Sequence, residues 1–455
     1  MLGMRHHSQS PSPRRRGRPL GAAPPAGFLA AWDRLLGGDC PQLPSRRGRK
    51  PRVPLTQVLP ALTFHVMKGA GTLGEHFGEL FEAPLADSSL ADRRARLPWE
   101  IFTELMRRML RPRATRQREP EAFWNGWRLT ALDGTQWSLA NTPQISAQVR
   151  KAPTRRGRAA FAKLPTAVLL ELGVHNPLAA AIGRDGESEW ALAMRLLAQI
   201  PRRALVLADR LYGCPAFLAA LQAACHPVGS QWLVRAKADV TGTVLRTFSD
   251  GSRLIRAPVA RRHRVTPDAT TLTVREIRVH VGRPGHRPTT LRLWTSLIDP
   301  QAAPALDLAR LYAQRWEHEL YFREVKRHLR RTDLLQSHTV DTAAQEVAAI
   351  VLASALLAVE RVRAADGQLP VLRVSLAKMI PIVEGMWFTL DVAAPVLTER
   401  QTQYILKEMY QRMRRYITPA RRSRSCPRAV RQPVTGWPRL LKATSIEGPL
   451  EFTVV

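Results

Sequence analysis

The sequence predicts an α/β protein: a mixed-sheet core interrupted by a β-rich insertion, with helical additions at both ends. Three observations carry that expectation. Short apolar runs alternate with helical patterns between Trp127 and Lys237, a polar–apolar alternation occupies Asp239 to Pro300, and a long helical pattern resumes at Leu306.

Taken in order, the stretch MLGMRHHSQSPSPRRRGRPLGAAPPAGF has no long apolar run of the kind a signal peptide or membrane span needs, and residues 1–27 read as a disordered basic arm. Residues 28–122 read as a helical, DNA-binding region. Folding is expected to start near Phe28, a basic loop follows at Arg46–Lys50, and LTQVLPALTFHVM from Leu55 has helical apolar spacing. In LADSSLADRRARLPWEIF, Ser89 marks a helix start, followed by Leu90 and the pair Arg93 and Arg94. Short helices with exposed arginines suit a DNA-reading module, and a plain helical cap on the main domain fits the same residues. Residues 123–238 form the first part of the core. WRLTALDGTQW is a strand closing at Asp133 with a turn at Gly134, KLPTAVLLELG and HNPLAAAIG are further strands, and SEWALAMRLLAQI is a helix. ALVLADR is a buried strand that also ends in an aspartate, Asp209, before the helix PAFLAALQAA and the strand QWLVRAK. Residues 239–304, with TGTVLRTF, GSRLIRAPVA, TTLTVREIRVHV and TTLRLWTSLIDP, read as a small antiparallel sheet of their own. Residues 305–367 return to the core as one long helix from Leu306 to about Arg331 and a second from Val340. Residues 368–455 form a helical region and a basic tail.

Charge narrows the partner. Lys and Arg number 69 against 37 Asp and Glu, a net charge of +32 over 455 residues, and a field of that sign attracts polyanions. The four cysteines, Cys40, Cys214, Cys225 and Cys426, are scattered without a CxxC pair, so neither a zinc site nor a disulfide scaffold is indicated. An apolar share of 45% supports a real core, and no repeat suggests a fibre.

Three carboxylates stand out. Asp133 and Asp209 each close a buried strand, and ligands bind in the crevice beyond strand ends, where loops leave side chains exposed on a rigid base. Glu319 lies on the long helix with Tyr312, Arg315 and Lys326, all within a stripe about 60° wide at about 100° per residue. Phosphodiester cleavage needs such a set. Hard carboxylate oxygens suit Mg²⁺, and paired divalent ions clamp the attacking and leaving oxygens. Arg315 and Lys326 offer phosphate contacts, Tyr312 a hydroxyl or a stacking face, and Arg210 and Arg323 further positive charge. Singly, each aspartate is equally a helix cap, and Glu319 equally half of a surface pair with Arg315 or Arg323.

The stretch YAQRWEHELYFREVK, Tyr312 to Lys326, carries the full Tyr-x2-Arg-x3-Glu-x6-Lys spacing and resembles the IS4 family of bacterial DDE transposases. LDGTQW around Asp133 and LADR around Asp209 are similar to that family's two aspartate motifs. The resemblance spans roughly Ser88 to Leu357. It implies an RNase H-like core in which Asp133, Asp209 and Glu319 hold two Mg²⁺, with Mn²⁺ as a substitute. It also implies double-stranded DNA with inverted terminal repeats and a target as partners, a homodimer or larger synaptic complex, and no membrane. Cytoplasmic, nucleoid-associated residence follows from such a role. Trp294, with Trp232 behind it, is the expected stacking partner for a flipped base, against the plain reading that Trp294 fills the core of a small sheet. His318, where the family has an aliphatic residue, either packs as a neutral ring or weakens metal binding when charged. The expected reaction is cleavage at element ends followed by strand transfer. A nuclease without strand transfer, or an inactive end-binding protein, shares these features.

Overall fold

The computed structural model describes residues 27–41, 53–154, 157–261, 270–282, 289–330, 332 and 334–419, with short strands at 424–425, 446–447 and 451–454. The basic arm before Gly27, the Arg46–Lys50 loop and most of the C-terminal arginine run, including Cys426, lie outside the described residues.

Five strands form the centre: β1 (Trp127–Ser138), β2 (Lys163–Glu171), β3 (Asn176–Ile182), β4 (Ala204–Ala208) and β5 (Gln231–Arg235). They stand in the order β3-β2-β1-β4-β5, with β2 alone running against the others, which is RNase H-like topology. Strand period explains the two-sided core. In β4, Leu205 and Leu207 face one hydrophobic cluster, while Ala204, Val206 and Ala208 face the other, so the whole strand is apolar. Pro177 lies on β3, the sheet edge, where a missing N–H costs least.

Helices cover both faces. The N-terminal region supplies α1 (Phe28–Leu36), α2 (Val58–Met67), α3 (Leu73–Phe81), α4 (Asp87–Ala95) and α5 (Trp99–Met109). A short α6 (Pro143–Gln148) follows β1. On one face α7 (Glu189–Leu196) and α8 (Pro215–Cys225) bury Leu192, Leu196, Phe217 and Leu221. On the other, α11 (Val340–Ala365) lies within the cluster shared with α1, α2 and α5. Among the described residues α11 alone is long and apolar enough to cross a membrane, and 89% of its apolar window is buried inside the protein, as a core helix requires. Beyond it lie α12 (Leu376–Ala393) and α13 (Glu399–Arg415).

Two expectations change in the N-terminal region. Helix α4 begins at Asp87 rather than Ser89, and its arginines do not both face solvent. Arg94 reaches inward to Gln345 Oε1 at 3.1 Å and Ser337 Oγ at 2.8 Å, because the polar residues at the start of α11 need buried partners. Arg93 donates to the Val53 carbonyl at 2.8 Å.

The β-rich segment is not a separate sheet. Its strands β6 (Thr243–Thr247), β7 (Arg253–Pro258), β8 (Thr271–Gly282) and β9 (Thr289–Thr295) are antiparallel as expected, but β9 pairs with β5 through Trp294 and Val234. The central sheet therefore continues as β5-β9-β8-β7-β6, and β9 covers an edge that β5 would otherwise leave unpaired. Trp294 is correspondingly buried. Its indole N–H donates to Glu276 Oε2 at 2.9 Å, and the Arg292 guanidinium lies 5.2 Å from its ring centre. No ring face is left for a base, so the stacking expectation is corrected to core packing: strand alternation turns residue 294 inward. Trp232 is likewise buried, its N–H bonded to Gln222 at 2.8 Å.

This segment also holds the helix that leads to Glu319. Buried Arg275 donates to Ser252 Oγ, to the Ala303 carbonyl and to Asp250, while Asp250 accepts the N–H of Ala305 at 3.0 Å, the first residue of α9 (Ala305–Tyr312). A carboxylate there satisfies an otherwise open helix N–H and complements the helix dipole.

The expected single long helix is broken. Helix α9 ends at Tyr312, a 3₁₀ turn spans Ala313–Arg315, α10 runs Trp316–Glu324, and a π turn occupies Val325–Leu329. Tighter and wider turns change the angle per residue, so a uniform stripe does not describe this segment. Behind it, Glu324 bonds His175 Nδ1 at 2.6 Å and Arg361 at 3.2 Å. Burial acts to raise the Glu324 carboxyl, and the two partners overcome it and hold it at about 2, against 4.5 when free. A depressed carboxylate contributes stability above its unfolded value that is lost as pH falls through the folded one. Melting temperature should therefore decline between about pH 5 and pH 2, and Glu324→Gln should flatten that part of the profile; an unchanged profile would refute the coupling.

Candidate active site

The parallel ladder of β1 and β4 ends with Leu132 opposite Ala208. One residue further, Asp133 and Asp209 emerge side by side, at the ~4.8 Å spacing of neighbouring strands. Asp209 does end its strand, and its Oδ1 accepts the N–H of Leu211 at 2.6 Å, turning the loop away. Asp133 does not end its own. It pairs with Val168 while β1 continues beside β2 to Ser138, so the expected turn at Gly134 is replaced by a strand that loses one neighbour and keeps the other.

Glu319 approaches from α10. Arg315 donates to Asp133 Oδ2 at 3.2 Å and to Glu319 Oε1 at 2.9 Å, so the two carboxylates lie within the span of one guanidinium fork. The remaining signature residues also meet the β1–β4 end, though not all as expected. Tyr312 is buried and donates its hydroxyl to the Ala208 carbonyl at 3.1 Å, behind Asp209. It supports the site rather than facing DNA, because the 3₁₀ turn rotates it inward. Lys326 donates to the Gln136 carbonyl at 2.6 Å, with its ammonium 4.9 Å from the Trp137 ring centre. Arg210 and Arg323 are exposed, and Trp316 is half exposed beside Arg315. His318 is fully buried and donates Nε2–H to the carbonyl of Val168, the residue opposite Asp133, at 3.0 Å. Burial pushes its ring down to about 3, so it packs neutral and braces α10 against β2.

Electrostatics show what the site lacks. Burial, then the neighbouring Asp209 carboxylate, pushes Asp133 up to about 7, against weaker opposition from the Gly134 N–H and Arg315. Two crowded carboxylates facing a third favour a cation between them, and the guanidinium of Arg315 stands in that position. Among the described residues no three potential ligands converge to the spacing of an ion's ligand shell. The donor set is nevertheless all carboxylate oxygen, which fits a hard divalent ion.

One neighbour had no signal in the sequence. Glu189, the first residue of α7, lies against Gly134 and accepts the Tyr212 hydroxyl at 2.8 Å. Its carboxyl is raised, by burial first and by Asp209, with the Tyr212 bond opposing. Only the tertiary approach of α7 to β1 brings it here.

A carboxylate pair on adjacent strands of an RNase H-like sheet, faced by a glutamate from a following helix, defines a metal-dependent phosphodiester-cleaving enzyme. Residues 124–356 match the family model described as the transposase DDE domain, and the chain belongs to that family, as a DDE transposase of the IS4 kind. It is 26% identical over 326 residues to the transposase InsG for insertion sequence element IS4 of Escherichia coli, covering 69% of this chain and 70% of the relative. A putative transposase InsZ of the same organism is 28% identical over 170 residues, 37% of this chain and 56% of that protein. Among solved structures, a piggyBac transposase synaptic complex with hairpin DNA aligns at 8% identity and a TM-score of 0.42, over 85% of this chain and 81% of that one.

Proposed function

We propose that this transposase cuts DNA at inverted terminal repeats and joins the freed 3′-hydroxyl to target DNA, using Asp133, Asp209 and Glu319 as ligands for two Mg²⁺ ions, with Mn²⁺ able to replace them. The observation that carries the assignment is the register Leu132–Ala208, which sets both aspartates at one sheet end, with Arg315 tying Glu319 to them. Such ions, when bound, polarise the scissile phosphate and activate the attacking oxygen. The chain's own residues prepare the place. Tyr312 fixes the backbone before Asp209, His318 fixes α10 against β2, and Arg315 holds two carboxylates together until a stronger cation takes its role and frees its donors for phosphate. Lys326, Arg210 and Arg323 line the DNA approach, and the helical region 28–122 reads the ends. Concerted cutting of two ends calls for a homodimer or larger assembly, and a cytoplasmic, nucleoid-associated site of action suits that work.

Strand transfer separates this reading from a nuclease. Incubating the protein with labelled terminal DNA, a target plasmid and Mg²⁺ should yield joined products; cut ends without joining would leave the nuclease reading, and neither product would leave an end-binding protein. Lys326→Ala should weaken DNA binding and lower the salt slope of log K by about 1, measured by titration at several salt concentrations. An unchanged slope would remove Lys326 from the DNA path.

A further inference from the structure

We propose that Glu189 is a fourth carboxylate of the metal centre, placed by Tyr212 and Gly134 to bind the ion held between Asp133 and Asp209; this rests on the DDE reading above. Three elements meet at this point. Strand β1 brings Asp133 and Gly134, the loop after β4 brings Asp209 and Tyr212, and the first turn of α7 brings Glu189.

The approach is close. A Cβ on Gly134 would lie 2.2 Å from the Glu189 carboxyl carbon and 2.6 Å from its Oε1, so the glycine beside the first catalytic aspartate is what admits this side chain. Any larger residue there would expel it. Tyr212, three residues after Asp209, ties Glu189 Oε1 to the loop that carries the second aspartate, so the three acidic groups are set by one hydrogen-bonded frame. Oε2 remains the atom available for a ligand.

A structural carboxylate would ordinarily be matched by a cation. Here the bonded partner of Glu189 is a neutral phenol, and its charged neighbours Asp133 and Asp209 are acidic themselves. Arg315, the cation of the site, is engaged with Asp133 and Glu319. Gathering like charges costs stability unless a cation arrives. Charge balance favours the same view: Asp133, Asp209 and Glu319 leave two divalent ions one negative charge short of neutrality, and Glu189 supplies it.

The test measures ion binding without DNA. Metal-free protein is titrated with Mn²⁺ by calorimetry and by the spin-resonance signal of free Mn²⁺. Glu189→Gln keeps an oxygen for Tyr212 and removes the charge, and should weaken one binding event by about 10- to 100-fold, the range seen when groups that support metal ligands are lost. Its melting temperature without metal should hold or rise, because a repulsion is removed. Gly134→Ala should reproduce the binding loss by displacing Glu189. A Glu189→Gln titration that overlays the parent, or a fall in its metal-free melting temperature, would overturn the proposal. Asp209→Asn separates the two readings. If it abolishes an event that Glu189→Gln leaves intact, the fourth carboxylate alone is refuted; if Asp209→Asn also changes nothing, the metal centre itself is refuted.

Discussion

Glu319→Gln is expected to lower metal-dependent DNA cleavage by about 10³-fold or more while leaving binding to element ends intact. The substitution preserves length and the oxygen that Arg315 contacts, so α10 should stay docked. What it removes is a negative charge, and stabilisation of a scissile phosphate by divalent ions amounts to several kcal/mol, each ~1.4 kcal/mol being tenfold in rate. Gel shift and cleavage on the same labelled DNA decide the matter. Cleavage that persists would remove Glu319 from the catalytic set, and loss of end binding would mean that the helix, rather than the chemistry, had failed.

The second large effect is on stability. Trp294→Ala should destabilise the protein by about 3–5 kcal/mol, the range for truncating a buried aromatic. The loss also deprives buried Glu276 of an indole donor, leaving it to Arg292 and Arg278. Because β9 joins the central sheet at β5, and Arg275 and Asp250 in the same segment hold the start of α9, the defect should spread toward the helix that presents Glu319. Denaturant unfolding measures it. If Trp294→Ala instead melted like the parent and bound terminal DNA more weakly, the ring would be a DNA contact and not a core residue.

Much of the site was legible because the chemistry lies in local patterns. Apolar runs ending in Asp133 and Asp209, together with the four-residue spacing from Tyr312 to Lys326, name the groups that meet at the β1–β4 end. The roles of some of them were not legible. Tyr312 and Arg315 have the residue types of DNA contacts, but a 3₁₀ turn between α9 and α10 turns the phenol inward and the guanidinium onto carboxylates. Arg94 and Trp294 were misplaced for a related reason: a charged or aromatic side chain does not announce whether a distant element will cover it. Glu189 was missed because its partners, Gly134 and Tyr212, are brought to it by packing.

The sequence by itself determined the strands and helices, the positive field and the identities of the carboxylates, since periodicity, charge and spacing are properties of neighbouring residues. The tertiary structure alone decided that β9 extends the core sheet, that Asp133 stands beside Asp209 and Arg315 between Asp133 and Glu319, and which aromatic rings are buried. Those outcomes depend on strand register and on the burial of surfaces far apart in the chain, and both are settled only when the whole core closes.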